Sequence, residues 1–190
     1  MPDTTIARSE LILGGQKSGK TARAERLAAA WLARSPAHQA VYLATACAAD
    51  TEMRERIARH RRDRALRLPA MRTVEAAREL PQALAEQSHP GTLVVVDCLT
   101  LWLTAWLMPA DGSPGEPPPV AALLQSLREA RGPMVLVSNE IGLGVIPLGR
   151  EVRAFVDALG TLNQQVAQAC SRVTLMAAGL PLSLREEETP

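Results

Sequence analysis

The clearest chemical signal in the sequence is a glycine-rich segment near the amino end, GGQKSGKT at positions 14–21. It fits the pattern G-x-x-x-x-G-K-[ST], with a short apolar run before it and an Ala/Arg/Glu-rich run after it. Glycines here let successive backbone N–H groups converge on phosphate oxygens at a helix N-terminus. The pattern predicts a nucleoside-triphosphate site, and the alternative is a strand–helix turn that binds nothing. The predicted phosphate-binding residues are Gly14, Gly15, Gln16, Lys17, Ser18, Gly19, Lys20 and Thr21.

Three side chains have specific predicted roles in this site. Lys20 is the predicted catalytic cation, because a compact ammonium group reaches the β- and γ-phosphates as a point charge. Thr21 would ligate Mg²⁺ through its hydroxyl group. Asp97 follows the apolar run at 94–96 and is the predicted second metal ligand. An acid after a strand is also a common helix cap, and Thr100 lies close enough to cap the next helix instead.

An arginine-rich segment at 54–67, RERIARHRRDRALR, is the second candidate for phosphate chemistry. Spacings of four residues pair Glu52 with Arg56 and Glu55 with Arg59, as on a solvated helix. The end of the segment has only Asp63 to balance its charge, and it is predicted to be a phosphate surface. Nucleic acid is a poorer fit, because aromatic residues make up 3% of the chain and none lies in this segment. The arginines of this end are Arg61, Arg62, Arg64 and Arg67.

His60 lies inside this segment and has two interpretations. Met53, Ile57 and His60 share one helical face, which favours a histidine at the edge of the core. Cationic neighbours would instead lower the pKa of its imidazole and keep it neutral, as a nucleophile or an acid/base beside phosphates requires.

The elements that must position these residues alternate along the chain. Short continuous apolar runs predict buried parallel strands at 11–13, 41–44, 93–96, 134–137 and 173–177. Helical patterns lie between them, at 20–34, 51–62, 76–87, 99–107, 120–130 and 151–170. This order predicts an α/β fold of the P-loop NTPase type, a mostly parallel sheet with helices on both faces. We expect a single domain over residues 1–190, with frayed ends at 1–9 and 185–190.

Composition narrows the class of protein. The chain has 190 residues, 47% of them hydrophobic, and a net charge of +1, so no global field recruits nucleic acid or an anionic membrane. Its three scattered cysteines do not suggest a disulfide framework or a zinc site. The longest apolar stretch, 98–108, is too short to span a bilayer, and the first ten residues do not resemble a secretory signal. We therefore expect a cytoplasmic protein with no stable membrane insertion.

The basic residues narrow the class further. Only two of the 21 basic residues are lysines, Lys17 and Lys20, and both lie in the glycine-rich segment. The N-K-x-D motif of guanine-specific switch GTPases is therefore excluded, and a motor or helicase core would be larger. A small P-loop kinase or nucleotidyltransferase remains. The alternatives are a small-molecule kinase without nucleotidyl transfer and a nucleotide-binding regulatory module without chemistry.

Ordered segments along most of the chain carry a resemblance to a known family. They are LILGGQKSGKT, VYLATA, EMRERIARHRRDR, RTVEA, VVVDCLTLWLT and VSNEIGLGVIPLGREVRAFVDALGTLNQQVA with a closing AAGLPL. The chain resembles the bifunctional adenosylcobinamide kinase / adenosylcobinamide-phosphate guanylyltransferases of cobalamin biosynthesis over about residues 10–184. The resemblance implies phosphoryl transfer from ATP or GTP to adenosylcobinamide. It also implies transfer of GMP from GTP to adenosylcobinamide phosphate through a guanylyl-histidine, giving adenosylcobinamide-GDP and pyrophosphate.

The resemblance also assigns residues. By its place in R-I-x-x-H, His60 is the implied nucleophile, and Asn139 and Glu140 carry the S-N-E-I-G signature with no role assigned. The family is described as a homotrimer, which the apolar helix at 102–107 could serve unless that helix is an ordinary buried one. The chain departs from the family pattern in the loop, with Gln16-Lys17 for Ala-Arg and Thr21 for Ser, and near the carboxyl end, where Thr161 replaces the arginine of the usual G-R-x-N-Q. The implied nucleotide-site residues beyond the loop are Ala44, Thr45, Ala46, Arg61, Arg62, Asp63, Arg64, Glu75 and Asp97.

Overall fold

The computed structural model describes residues 4–47, 51–145 and 147–186, without the side chains of Met53 and Arg56. The strands are β1 (Ser9–Gly14), β2 (Gln39–Ala44), β3 (Met71–Glu75), β4 (Thr92–Asp97), β5 (Met134–Val137), β6 (Arg172–Ala177) and β7 (Leu180–Glu186). The helices are α1 (Lys20–Arg34), α2 (Thr51–Arg67), α3 (Leu80–Gln87), α4 (Leu99–Leu107), α5 (Val120–Arg128) and α6 (Arg150–Ala169). The predicted alternation of strands and helices is confirmed.

In the described part of the chain the strands form one seven-stranded sheet in the order β3-β2-β4-β5-β1-β6-β7. All neighbours are parallel except β7, which runs antiparallel to β6. Parallel register brings Asp97 of β4 level with Ala44 of β2 and Val137 of β5. The carboxyl ends of the central strands therefore lie along one edge, where α/β proteins build their sites.

The sheet is buried on both faces, which is why its central strands read as continuous apolar runs. One face packs against α3, α4, α5 and α6, and the other packs mainly against α1. Trp102 of α4 is fully buried in the first of these layers, beside Leu103. The interpretation of α4 as a buried helix is therefore confirmed for these two side chains, and helices cover both faces as predicted.

Two strands and both predicted frayed ends differ from the sequence-based expectation. β3 was missed because an edge strand reading MRTVE has exposed polar side chains and no apolar run. β7 is not predicted because its leucines alternate with other residues and are exposed, so they indicate no buried strand. It includes residues 185 and 186 of the tail that the sequence predicts to fray. Ser9 is buried in β1, and Glu186 of β7 forms an ion pair with Arg172 at 2.5 Å. In the described ranges, no helix is both long and apolar enough to cross a membrane.

Candidate nucleotide site

The glycine-rich segment forms the predicted turn between β1 and α1. Gly14 ends the strand with φ of 151°, and a Cβ atom there would lie 2.5 Å from the carbonyl oxygen of Met176. Gly19 has φ of 101°, and a Cβ atom there would lie 3.1 Å from the Cα atom of Gly179. A side chain at either position would be strained or would clash, so the tight turn requires glycine at both. The exposed residues between them, Gly15 to Lys17, face solvent at the carboxyl edge of the sheet.

Lys20 is the first residue of α1 and is only 8% exposed. Its Nζ donates to the carbonyl oxygens of Gly14 at 2.9 Å and Gly15 at 2.7 Å, so the ammonium group lies against the start of the loop. Burial lowers the pKa of Lys20, and the carboxylate of Asp97 partly opposes that shift. The hydroxyl of Ser18 is also buried in the loop and has no hydrogen-bond partner among the described residues. The loop therefore combines a fixed cation with an unused polar group.

Asp97 accepts two hydrogen bonds at one carboxylate oxygen. Thr21 donates its hydroxyl to Oδ2 at 2.8 Å and Tyr42 donates its phenol to the same oxygen at 2.9 Å. Burial raises the pKa of Asp97, and these two bonds with the nearby Lys20 and Arg64 counteract the rise. Asp97 is therefore no helix cap: α4 begins after Cys98 with no capping bond from a side chain. The two predicted metal ligands, Thr21 and Asp97, therefore lie within hydrogen-bond distance of each other.

The donor set at this point suits a divalent cation. Mg²⁺ prefers hard oxygen ligands and is commonly held by one or two protein groups plus substrate phosphates and water. Thr21 and Asp97 offer a hydroxyl and a carboxylate beside the phosphate loop. Among the described residues no group of three or more His, Cys, Asp or Glu side chains could hold a metal. The residues therefore fit a magnesium ion completed by a bound nucleotide rather than a protein cage.

His60 lies on α2 and is exposed, which contradicts its interpretation as a histidine at the edge of the core. It lines a cleft of about 580 Å³ between α1 and α2. Thr21 of the phosphate loop lines the same cleft, so the predicted metal ligand and the predicted nucleophile face one space. The other lining residues are Ala22, Glu25, Arg26, Ala29, Asp63, Arg67 and Leu68.

The arginines after His60 are not the uncompensated surface that the sequence predicts. Arg61 forms an ion pair with Glu75 of β3. Arg67 forms a two-pronged pair with Glu25 of α1, with N–O distances of 2.8 and 2.9 Å. The prediction of uncompensated charge is wrong for these two because their acidic partners lie 14 and 42 residues away in the sequence. Arg62 and Asp63 are exposed, as expected of residues that meet a ligand.

Arg64 is 4% exposed and so is not part of a solvated phosphate surface either. Its guanidinium carbon lies 3.6 Å from the centroid of the Tyr42 ring, and Nη2 donates to Thr73 at 3.1 Å. Sequence reasoning missed Tyr42, Thr73 and Glu25. The one available signal was a tyrosine within an apolar strand, since a buried phenol group needs a hydrogen-bond partner.

Thr45 is placed next to the site but does not line it. The side chain is fully buried, donating to the carbonyl of Cys98 at 2.7 Å and accepting from the Cys98 N–H at 2.8 Å. It therefore fixes the backbone that follows Asp97, which corrects the expectation that its side chain lines the nucleotide. Its neighbour Ala44 is buried at the end of β2, and Ala46 is half-buried.

Asn139 and Glu140 have a structural role that the sequence alone did not assign. The Asn139 N–H donates to the Thr100 hydroxyl at 3.0 Å, and Asn163 of α6 donates its side-chain amide to the Asn139 carbonyl at 3.0 Å. The Glu140 N–H donates to the carbonyl of Gly14 at 3.0 Å. This segment therefore ties α4 and α6 to the first residue of the phosphate loop.

Comparisons with known proteins agree with this geometry. A model of the family described as cobinamide kinase / cobinamide phosphate guanyltransferase matches residues 10–184. The bifunctional adenosylcobalamin biosynthesis protein CobP of Pseudomonas aeruginosa is 48% identical over 182 residues, covering 94% of this chain and 98% of the relative. The bifunctional adenosylcobalamin biosynthesis protein CobU of Escherichia coli is 30% identical over 187 residues, covering 92% and 98%.

A solved structure supports the fold alone. The flagellar accessory protein FlaH of Methanocaldococcus jannaschii superposes with a TM-score of 0.51 at 13% sequence identity. The match covers 96% of this chain and 80% of that chain.

Proposed function

The chain belongs to the cobinamide kinase / cobinamide phosphate guanyltransferase family, and from this premise we propose that its two reactions share one nucleotide site with His60 as the guanylyl carrier. The enzyme is a bifunctional kinase and guanylyltransferase of cobalamin biosynthesis. Its proposed substrates are ATP or GTP, adenosylcobinamide and adenosylcobinamide phosphate. The proposed nucleotide-binding residues beyond the loop are Ala44, Ala46, Arg61, Arg62, Asp63, Glu75 and Asp97. Buried Thr45 and Arg64 do not contact the nucleotide themselves: Thr45 acts through the backbone of Cys98, and Arg64 lies against Tyr42.

The phosphate loop binds the triphosphate in both reactions. Backbone N–H groups of residues 14–21 face the phosphate oxygens, and Lys20 neutralises charge on the β- and γ-phosphates. Thr21 and Asp97 would hold Mg²⁺, and the ion would neutralise negative charge that develops on the leaving group. Because Thr21 and Tyr42 both donate to Oδ2, the carboxylate is oriented before substrate arrives.

In the kinase reaction, the hydroxyl of the aminopropanol arm of adenosylcobinamide attacks the γ-phosphorus. The bond between the γ-phosphorus and the β-bridging oxygen breaks, the hydroxyl loses its proton, and a nucleoside diphosphate leaves. The protein contributes by holding the triphosphate in line and by placing the Lys20 charge where the transition state becomes negative.

In the guanylyl transfer, a ring nitrogen of neutral His60 attacks the α-phosphorus of GTP. The bond to the β-phosphate breaks, pyrophosphate leaves and a phosphoramidate remains on the histidine. A phosphate oxygen of adenosylcobinamide phosphate then attacks the same phosphorus. The P–N bond breaks, its electron pair returns to the imidazole, and adenosylcobinamide-GDP is released.

The observation that carries this proposal is the shared cleft: His60 and Thr21 line the same space of about 580 Å³. The test incubates the protein with α-labelled GTP and Mg²⁺ and then quenches it with acid or base. A histidine phosphoramidate predicts a protein-bound label that is lost in acid and kept in base. His60→Ala should abolish it, whereas His89→Ala should retain it because His89 is an exposed loop residue.

Four results would contradict the proposal. Label missing from the wild type would exclude the covalent step, and γ-phosphate transfer without α-phosphate transfer would favour the simple kinase. Full labelling of His60→Ala would leave the guanylyl carrier elsewhere. Nucleotide binding without turnover on any corrinoid would favour the regulatory module.

The proposed setting is the cytoplasm, which supplies both nucleoside triphosphates, and the proposed assembly is a homotrimer by family resemblance. Leu180, Leu182 and Leu184 of the edge strand β7 are 71%, 57% and 54% exposed, which supports burial of this face in an assembly. Light scattering on the purified chain should give three times the 20.4 kDa monomer mass. A monomer mass at micromolar concentration would contradict the assembly.

A further inference from the structure

The turn of α2 that follows His60 is connected to the carboxylate of Asp97, the proposed metal ligand, through the ring of Tyr42. Arg64 lies one helical turn after His60, where residues four apart share a face. Its guanidinium group packs over Tyr42 at 3.6 Å from the ring centroid, and both side chains are buried, with exposures of 4% and 6%. Nη2 of Arg64 is held at the other side by the Thr73 hydroxyl at 3.1 Å.

The far end of the same ring reaches the metal ligand. The Tyr42 phenol donates to Oδ2 of Asp97 at 2.9 Å, the oxygen that also accepts from Thr21 at 2.8 Å. A shift of the Tyr42 ring would therefore move or release the Asp97 carboxylate. The contacts run without a break from Arg64 through Tyr42 to Asp97 and Thr21.

We propose that Arg64 is a positioning residue that acts through Tyr42 to hold the Asp97 carboxylate in its metal-binding orientation. The proposal rests on the proposed metal site at Thr21 and Asp97. It gives one buried arginine a part in both reactions, because the carboxylate serves the triphosphate in each. It also couples α2, which carries His60, to the phosphate loop.

An arginine is suited to this position for a geometric reason. Its guanidinium group can pack over a ring and still donate from its N–H groups, as Arg64 does with Tyr42 and Thr73. The flanking arginines have different contacts, since Arg61 and Arg67 bind acids at half-exposed positions. Of these three arginines, Arg64 is the one that contacts Tyr42, whose hydroxyl donates to Asp97.

The test compares variants that cut this chain of contacts at different points. Tyr42→Phe keeps the ring under Arg64 and removes only the hydroxyl donor. Arg64→Met removes the cation and keeps much of the side-chain volume, whereas Arg64→Lys restores a cation. Arg78→Met is the matched control, because Arg78 packs over Trp106 at 4.6 Å in a comparable contact on α4.

The kinetic readout is the Mg²⁺ concentration that gives half the maximal rate, measured for kinase and guanylyl transfer separately. For Tyr42→Phe and Arg64→Met it should rise about tenfold to a hundredfold in both reactions, the effect expected from losing a hydrogen bond to a charged group. The rate at saturating Mg²⁺ should stay within about twofold, because the ligands themselves remain. Arg64→Lys should recover part of the loss, and Arg78→Met should match the wild type.

A second readout needs neither metal nor turnover. The chain has one tyrosine, so tyrosine labelled with ¹³C at Cζ gives a single resonance that reports on the hydrogen bond of its hydroxyl. In metal-free protein, Arg64→Met should move this resonance toward its position in Asp97→Ala. Arg78→Met should leave it in place.

Each outcome decides something. Unchanged Mg²⁺ dependence with a lower melting temperature would reduce Arg64 to a packing role and overturn the inference. Tyr42→Phe that behaves as wild type would overturn it as well, even if Arg64→Met failed to fold. A wild-type enzyme without any Mg²⁺ requirement would remove the proposed metal site and this inference with it. Guanylyl transfer that needs no histidine would overturn the proposed carrier and leave the Mg²⁺ comparison of the kinase reaction intact.

Discussion

Exchange of each lysine for arginine tests the phosphate site with the chain's own control. Lys20→Arg and Lys17→Arg both keep a positive charge, and the two residues are three positions apart in one loop. Lys20 is 8% exposed and its Nζ lies within 2.9 Å of two carbonyl oxygens. Lys17 is exposed at the outside of the turn. The structure therefore predicts opposite outcomes for two chemically identical changes.

The magnitude follows from the geometry at Nζ. One nitrogen lies between the carbonyls of Gly14 and Gly15 and keeps a third hydrogen for phosphate. A guanidinium spreads its charge over a larger planar group, which this buried position does not admit without moving the loop. Losing one preorganised donor to a transition state costs about 10²–10³ in kcat, or about 2.7–4 kcal/mol. Lys20→Arg should therefore slow both reactions at least about a hundredfold.

The assay follows γ-label from ATP or GTP into adenosylcobinamide phosphate and α-label from GTP into adenosylcobinamide-GDP. Lys17→Arg should stay within about twofold of the wild type in both, because arginine keeps the positive charge at an exposed loop position where its larger group has room. Circular dichroism and melting temperature confirm that both variants are folded. Lys20→Arg with rates within about threefold of the wild type would refute the point-charge argument. Equal losses in both variants would refute the distinction between the two lysines.

Three further predictions concern stability and thiol chemistry. Glu10→Ala removes a carboxylate that lies between two buried guanidinium groups, at 2.7 and 3.6 Å, and should cost about 3 kcal/mol in urea unfolding; a loss under about 1 kcal/mol would contradict it. Thr45→Val strands the backbone N–H and C=O groups of Cys98 and should cost about 2 kcal/mol, measured the same way, with no loss expected if water replaces the hydroxyl. A thiol reagent at pH 8 should label exposed Cys47 in the native protein and spare buried Cys98 and Cys170, because burial raises the pKa of Cys98 to about 12 and leaves about one thiolate in ten thousand; three thiols labelled at native rates would contradict the burial.

The sequence predicts the parts of the fold that depend on local patterns. β4 and β5 are continuous apolar runs because both faces of the sheet are covered, and α1 and α4 begin and end where their patterns do. β3 escapes prediction because an edge strand needs no apolar run and has exposed polar side chains. β7 escapes because its apolar side chains face outward, so they indicate no buried partner.

The same distinction between local sequence patterns and long-range contacts applies to the candidate site. The loop at 14–21 and the acid at 97 were predictable because strand, turn and helix are adjacent in sequence and their spacing is fixed by the chemistry. Tyr42 and Glu25 were not, because their roles depend on which strands and helices become neighbours. Tyr42 reaches Asp97 across 55 residues, and Glu25 meets Arg67 across 42.

The unequal use of lysine and arginine follows from the contacts that the cation at each position makes. Arg64 packs over an aromatic ring, and Arg67 binds both oxygens of one carboxylate, which are contacts suited to a planar group with several donors. Lys20 instead fits one nitrogen between two carbonyl oxygens at the start of the loop. Arginines that seem excess charge in the sequence therefore hold α2 against β2, β3 and α1. Because Arg61 and Arg67 are already paired with carboxylates and Arg64 is buried against Tyr42, we expect the loop amides and Lys20 to provide most of the attraction for the triphosphate.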